Sequence, residues 1–509
     1  MRDAIADAYD RTPYESGCFP FTHPARMGAV ARLHGIEAPL PQNCRVLEIG
    51  CAMGQNLLPL ALQYPQAHFV GVDLSVVQIA RAKAAAKELA INNVELLHGD
   101  IRALQDQLRG PFDFIICHGV YSWVPPTVRD GILRCCARHL AEHGVVMISF
   151  NALPGGCEFR RTRDLVLSLT AGIDASDLPE RHRQARATLE KLLRDTGEHV
   201  DAAMRSAIQT FIDAPASYAI HEYLSDYNEA FSLGMFAADL EPHGLRYLAD
   251  AQLDIDGARE RLAQRSGLTT RGMSPLALEE TLDALVGNAF RRALIVRDTA
   301  HHGRYPDLEA LRSMAVACRF AEVTEAADGT EITAPMALQT PAGRTLRLLL
   351  PAAKDAARRV LRGQPCYVPV ASVLADRTSP EAEIVLKTLL RLATEGFVDL
   401  VTSPLAIAAE LPDPPRLWPW AAYALRSGAG MFCGTTHEPR EISPEMRLLA
   451  QAINGKTPIT ELTQRWIASP NRAIGAVDPE SSPSLKGETT ESPPLVLLLQ
   501  MLHALGAVA

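Results

Sequence analysis

Three carboxylates and a glycine-bearing turn offer the first chemistry. Residues 46–56 read Val-Leu-Glu-Ile-Gly-Cys-Ala-Met-Gly-Gln-Asn, an apolar strand that stops at Gly50 and turns through Ala52 and Gly54 towards a helix beginning near Asn56. Glycine at 50 and 54 permits positive φ and close approach of the backbone to a ligand. Asp73 follows about 20 residues on, at the carboxyl end of the next strand, where an acid can accept both hydroxyls of a ribose. Asp100 closes a third strand in His98-Gly99-Asp100-Ile101. Polar groups at successive strand ends describe one crevice along the top of an open α/β sheet.

The turn selects among nucleoside ligands. A pyrophosphate asks for G-x-G-x-x-G beneath a helix N-terminus. This turn is E-x-G-x-A-x-G, and Glu48 beside it repels phosphate but suits a cationic or zwitterionic ligand. S-adenosylmethionine carries a sulfonium and an ammonium and no phosphate. Asp73 would hold its ribose and Asp100 its adenine amine, with Ile101 packed on the ring.

The elements that position these groups alternate regularly. Expected strands are Arg45–Ile49, His68–Val72, Val94–Leu97, Phe112–Cys117 and Gly144–Phe150, with helices at Asn56–Gln63, Val76–Leu89 and Val128–Leu140. Strand–helix alternation at this spacing predicts a parallel sheet wound by right-handed crossovers. Continuous apolar strands fit a sheet covered on both faces. Residues 158–215 read as helical and locally basic, with Arg160, Arg161, Arg163, Arg181, Arg183 and Arg186 either on solvated faces or docking an acidic partner. A helix around Asn228–Leu240, a strand Leu245–Ala249, a helix over 275–290 and a strand Arg292–Arg297 follow, the two strands pairing antiparallel at the sheet's edge. Beyond about residue 300 the rhythm changes. Glu331–Ala334 and Thr345–Leu349 suggest a hairpin. Helices over Ala382–Thr394 and Leu495–Leu505 each run into glycine and a short strand, as winged-helix modules do. Residues 404–420 read as a linker and 470–494 as a mobile loop.

Composition narrows the classes. The chain has 509 residues, 50 Lys+Arg against 59 Asp+Glu, a net charge of −9, 47% hydrophobic and 21% charged residues. This is a globular composition of about three domains, without the basic face of a nucleic-acid binder. No apolar run reaches the ~18–20 residues of a membrane helix. The N-terminus shows no apolar signal region, so a cytoplasmic location is expected. The 10 cysteines are scattered, with no C-x-x-C pair and no zinc-type spacing, so reduced thiols and no metal are expected.

Residues 43–150 resemble the class I S-adenosylmethionine-dependent methyltransferases, departing at Ala52 from the family's usual middle glycine. Further fragments narrow the likeness: Tyr9-Asp10…Pro13-Tyr14, His118-Gly119-Val120-Tyr121-Ser122-Trp123-Val124-Pro125, Ser149-Phe150-Asn151…Pro154-Gly155, and His221-Glu222-Tyr223-Leu224…Asn228-Glu229. Over about residues 9–250 the pattern is similar to bacterial methyltransferases with an appended methyltransferase regulatory domain. That group includes rickettsial protein-lysine methyltransferases acting on outer-membrane proteins.

The resemblance implies an α/β fold: a Rossmann-like sheet of seven strands, the last antiparallel, with a helical insertion and a C-terminal α+β, winged-helix-like region. The implied division is an N-terminal aromatic lid (1–42), a cofactor-binding core (43–155), the insertion (156–230), completion of the sheet (231–300), a regulatory, winged-helix-like domain (301–403), and a linker with a second such module (404–509). Cofactor contacts are expected from Tyr14, Glu48, Gly50, Ala52, Gly54, Asn56, Asp73, Leu74, Gly99, Asp100, Ile101, His118, Gly119 and Val120. The loop after the fourth strand would face the transferred methyl. A lysine acceptor, with a free pKa near 10.4, must first lose a proton. Desolvation among Tyr121, Trp123, Tyr218 and Tyr223 would lower that pKa, and His118 or His221 would take the proton. Aromatic faces also attract ammonium groups. The expected activity is methyl transfer to protein lysine, with a polypeptide partner, no nucleic acid and a homodimer as the candidate assembly. A methyltransferase of small metabolites with a regulatory or dimerising C-terminal half, and a cofactor-sensing interaction module, are the alternatives.

Overall fold

The computed structural model describes residues 10, 16–196, 199–253, 273–300, 303, 306–323, 335–374, 379–468, 494–504 and 506–508. The first five strands fall where expected, though the fifth starts at Leu140 rather than Gly144: β1 (Arg45–Ile49), β2 (His68–Asp73), β3 (Val94–His98), β4 (Phe112–Cys117) and β5 (Leu140–Ala152). They are joined by β6 (Ala230–Phe231), β7 (Leu245–Asp250) and β8 (Phe290–Arg297). The sheet order is β3-β2-β1-β4-β5-β8-β7, with the two-residue β6 beside β5. Strands β1 to β5 pair in parallel, and β8 runs antiparallel to both of its neighbours. The expected pairing of β7 with β8 therefore forms, but β8 lies inside the sheet and only β7 is at its edge.

Apolar alternation divides the strands between two layers. Val46, Phe69, Phe114 and Met147 enter one core with Leu57, Leu58 and Ile79. Their neighbours Leu47, Val70, Ile115 and Val146 enter the other with Ile132 and Phe236. Both faces are covered, which is why the strands read as unbroken apolar runs. The helices between them span Leu57–Gln63, Val76–Glu88, Ile101–Leu104 and Pro126–His139.

The insertion comprises helices Cys157–Leu169, Leu178–Thr196, Ala202–Asp213 and Ala216–Tyr223, packed around Val166, Leu189, Ile208, Phe211 and Tyr223. Three of its arginines face nearby acids, Arg161 pairing with Glu158 and Asp201, Arg183 with Glu180 and Arg186 with Glu190, while Arg163 donates to the Ser225 carbonyl and Arg181 to the Thr170 hydroxyl. Those three charges are compensated within the insertion, as solvated faces are.

The C-terminal half holds small antiparallel sheets. Strands β9 (Ala315–Cys318), β10 (Ala321–Val323), β11 (Met336–Gln339), β12 (Thr345–Leu348), β13 (Val368–Pro369) and β14 (Val398–Val401) form β10-β11-β12 and β13-β9-β14. The expected hairpin to Thr345–Leu349 exists, but its first strand is β11; 331–334 lie outside the described residues. The helix Ser379–Thr394 does lead past Gly396 into β14. At the chain's end, Val508 makes a single bridge to Leu417. The 404–420 segment is not a free linker: Leu405, Leu417 and Trp420 are buried, and Trp420 packs with the core beneath β1. The stretch 470–493 of the expected mobile loop is outside the described residues. No helix among the described residues is long and apolar enough to cross a membrane.

Candidate active site

A cavity of about 460 Å³ opens at the carboxyl ends of the central strands, between them and the insertion. Ile49 and Gly50 line it from β1, Asp73 and Leu74 from β2, and Gly99, Asp100 and Ile101 from β3. His118, Gly119, Val120 and Trp123 follow from the loop after β4, Asn151 from β5, and Tyr218, His221 and Glu222 from the helix Ala216–Tyr223.

The first turn is built by hydrogen bonds to the neighbouring strand. The amides of Gly50 and Cys51 both donate to the Val72 carbonyl, at 2.8 and 3.1 Å. Gly50 has φ +79°, and a Cβ there would stand 2.4 Å from Cγ2 of Val120. Ala52 also holds a left-handed backbone, φ 47°, and its amide donates to Asp73 Oδ2 at 2.8 Å. The residue that departs from the glycine pattern thus adopts the conformation glycine would.

Asp73 receives a second backbone donor on Oδ1, Ser75 at 2.8 Å, while the Ser75 hydroxyl caps the helix Val76–Glu88 through the Gln78 amide. Burial pushes the Asp73 carboxyl up, and these backbone bonds oppose it. Each oxygen keeps a lone pair beyond its backbone bond, so the carboxylate can still accept from a ligand hydroxyl. Asp100 caps the short helix Ile101–Leu104 and is gripped by the guanidinium of Arg102. Hydrogen bonds from Arg102 hold its carboxyl below the usual range.

Several expected site residues stand elsewhere. Glu48, Gly54 and Asn56 lie behind the cavity wall. Glu48 is 4% exposed and accepts from Asn56 Nδ2 at 2.8 Å. Burial raises its carboxyl to about 8, so at neutral pH it is protonated rather than the negative group the sequence suggests. Gly54 closes the turn by donating to the Cys51 carbonyl at 2.8 Å. Tyr121 is fully buried, its hydroxyl donating to Asp239 at 2.8 Å and its ring packed on Phe231 and Phe236. Tyr223 belongs to the insertion's own core, against Phe159 and Phe211. Neither tyrosine lines the cavity. Tyr14 lies outside the described residues.

His118 does line the cavity, in a cage of Phe19, Phe21 and Phe290, with the Phe19 centroid 4.0 Å away. Its Nδ1 is 2.8 Å from Ser149 Oγ, which also accepts from the Gly119 amide. Burial, with Arg292 nearby, lowers His118 to about 3. It stays neutral and is too weak a base for an ammonium proton, so it is an element of the wall.

Glu222 is the group sequence reasoning passed over. Burial raises its carboxyl to about 7, opposed by the nearby indole of Trp123. A carboxylate poised near neutrality on a cavity wall is suited to proton transfer. The motif His221-Glu222-Tyr223 contained the signal, but helical periodicity alone does not say which of three adjacent residues faces inward. Phe290 and Arg292 also line the cavity and were equally unmarked, while Phe19 and Phe21 reach it from the N-terminal segment read as aromatic.

A doubly covered sheet with one internal antiparallel strand, and a crevice ending in Asp73 and Asp100, define a class I methyltransferase scaffold. Residues 46–144 match the family described as "Methyltransferase domain", and 215–297 match "Predicted methyltransferase regulatory domain". The uncharacterized protein RP028 of Rickettsia prowazekii is 34% identical over 227 residues, covering 43% of this chain and 88% of that one. Protein RP789 of the same organism is 40% identical over 249 residues, 48% of this chain but only 44% of the relative's length. PKMT2 from Rickettsia typhi, solved in complex with AdoHcy, superimposes with a TM-score of 0.77 at 22% identity, over 97% of this chain and 98% of that one. The chain belongs to the class I S-adenosylmethionine-dependent methyltransferases that carry an appended methyltransferase regulatory domain.

Proposed function

We propose that the protein transfers methyl groups to lysine side chains of a polypeptide. The observation that carries this reading is the pairing of Glu222 with aromatic walls on the insertion side of the cavity. Tyr218 is 43% exposed and yet lines the cavity, so the space reaches solvent there. An entering lysine stem would pass Tyr218 and Trp123, whose ring faces attract an ammonium. Glu222, ionised above about pH 7, would accept the ammonium proton and leave a neutral amine. The full-length likeness in fold to PKMT2 supports the same reading.

Bound S-adenosylmethionine supplies an activated methyl on a sulfonium. Asp73 would accept from the ribose hydroxyls, and Ile101 and Leu74 would flank the base, with Asp100 offering its remaining lone pairs to the adenine amine. Gly50, Gly99, Gly119 and Val120 bring backbone to the ligand, and His118 with its phenylalanine cage excludes water. The task left to the protein is alignment of nucleophile, carbon and leaving sulfur, together with the one deprotonation. Incubating the full-length protein with radiolabelled cofactor and a cell-envelope extract tests the proposal. Label on lysine in digested protein is expected; label confined to small molecules overturns it.

A further inference from the structure

Three potential ligands from opposite ends of the chain meet beneath the cavity. Cys18 precedes Phe19, whose ring meets His118 edge-on. Cys433 and His437 belong to the C-terminal module. All three are buried, and the two Sγ atoms and a ring nitrogen of His437 lie within 4.8 Å of one another. Nδ1 of His437 is 4.0 Å from Cys433 Sγ. Ligand atoms around a tetrahedral zinc stand roughly 3.5–4 Å apart, from bonds of about 2.3 Å to sulfur and 2.0–2.1 Å to nitrogen.

The neighbours of the histidine settle which nitrogen is available. Asn56 Nδ2 donates to Glu48, and Asn56 Oδ1 accepts from the Phe19 amide at 3.1 Å. Oδ1 is therefore an acceptor when it meets His437 Nε2 at 2.8 Å, and Nε2 must carry the proton. The Nδ1 lone pair is left facing Cys433. An outer nitrogen fixed by a hydrogen bond while the inner one is bare is the arrangement of a metal-ligating histidine. His437 also holds a left-handed backbone, φ 61°, a conformation that costs a non-glycine residue and tends to persist where it positions a functional group.

We propose that Cys18, Cys433 and His437 form a binding site for a thiolate-preferring divalent metal of the zinc type, clasping the N-terminal segment to the C-terminal module. Two thiolates and an imidazole favour such an ion over hard, oxygen-seeking cations. Binding would displace both thiol protons. Through Asn56 and Phe19 the clasp would brace both the glycine turn and the cage around His118. Spacing along the chain cannot reveal this site, because two ligands lie near one terminus and the third near the other.

The test uses the full chain, stripped with chelator under reducing conditions and then loaded with zinc(II) or cobalt(II) alone. Stoichiometric zinc retained through dialysis is expected, as is a near-ultraviolet thiolate-to-cobalt absorption. Cys433→Ser and His437→Gln should each lower metal affinity by at least about tenfold, whereas Cys157→Ser, at an exposed thiol, should not. The wild-type cobalt spectrum needs no variant to fold. Absence of the thiolate band, a band undiminished in Cys433→Ser, or recovery of Cys18 and Cys433 as a disulfide from the reduced and reloaded protein would each overturn the site.

Discussion

The indole of Trp123 and the carboxyl of Glu222 face the same cavity, and the polar edge of the indole favours the charged form of the acid. The two come from different parts of the fold, the loop after β4 and the last helix of the insertion. Burial favours the neutral acid and the indole favours the anion, and between them the group titrates at about 7. Because that value is raised, the carboxyl is protonated below it and becomes a base above it. Methylation of a lysine peptide at saturating cofactor should therefore rise with pH through about 7. Stability runs the other way: the folded state keeps a proton that the unfolded chain releases near 4.5, so this group's contribution is full below that pH and is lost as pH rises through about 7.

Glu222→Gln keeps the shape and removes the base. We expect kcat to fall by about 10²–10⁴-fold, the usual worth of positioned acid–base catalysis, and the inflection near neutrality to vanish. Trp123→Phe should shift the inflection to higher pH, since the indole that favours the anion is gone. Cofactor affinity, measured separately by calorimetry, should stay within a few-fold in both. A wild-type pH profile that persists in Glu222→Gln would assign the proton to another group.

Asp73 gives a sharper test of cofactor binding. Its carboxylate already holds the Ala52 and Ser75 amides and is expected to accept ligand hydroxyls besides. Hydrogen bonds to a charged group are worth about 1.5–3 kcal/mol, so Asp73→Ala should weaken S-adenosylmethionine binding by roughly 10–100-fold. Asp73→Asn, which keeps one acceptor oxygen for the turn, should bind between the two. Calorimetric titration reads this directly, and an unchanged affinity in Asp73→Ala would remove the residue from the cofactor site.

Ala52 predicts a gain. A left-handed backbone costs an L-residue with a Cβ about 1–2 kcal/mol, and glycine avoids that while losing about 0.4–1 kcal/mol through its freer unfolded state. Ala52→Gly should stabilise the protein by roughly 0.5–1 kcal/mol, read as a higher urea midpoint for the core transition. A lower midpoint would mean that the Ala52 methyl packs favourably enough to outweigh its backbone strain.

How far the sequence revealed this molecule depended on whether a signal was local. Strands β1 to β5 and the helices between them were legible because apolar runs and punctuating glycines are local. Asp73 was legible because a strand end with an acid has a fixed place in this topology. Glu48 was misread because its burial, and so its charge, depends on Asn56 and the packing behind it. Tyr121 was misread because a short 3-10 turn, Tyr121–Trp123, buries Tyr121 while Trp123, two residues on, lines the cavity. Trp420 was placed in a linker because proline-rich composition says nothing of what a tryptophan packs against. Contacts between distant segments leave no local pattern at all.

One such contact joins Arg26 to Asp399. Arg26 Nε and Nη2 reach both carboxylate oxygens of Asp399, the shortest at 2.6 Å, while Nη1 donates to the Thr436 carbonyl at 2.8 Å. This ties the helix Pro24–Leu33 to β14. Burial would push Asp399 up, but Arg26, Arg319 and the Tyr367 hydroxyl hold it well below the usual carboxylate range. A depressed acid contributes stability that is present above its unfolded value and is lost as pH falls through the folded one, so the pair strengthens the neutral protein against acid. Removing one partner of a buried pair costs about 3–5 kcal/mol because the other charge is stranded. Arg319 stands 3.5 Å from the same carboxylate and would relieve part of that cost. Arg26→Met should therefore destabilise by about 3 kcal/mol, the lower end of that range, and Arg26→Met with Asp399→Leu should recover much of the loss. Urea unfolding of the four proteins in this cycle measures the coupling. A double variant as unstable as the sum of the singles would show that the two residues act independently and that packing, not charge, joins the N-terminal helix to the C-terminal sheet.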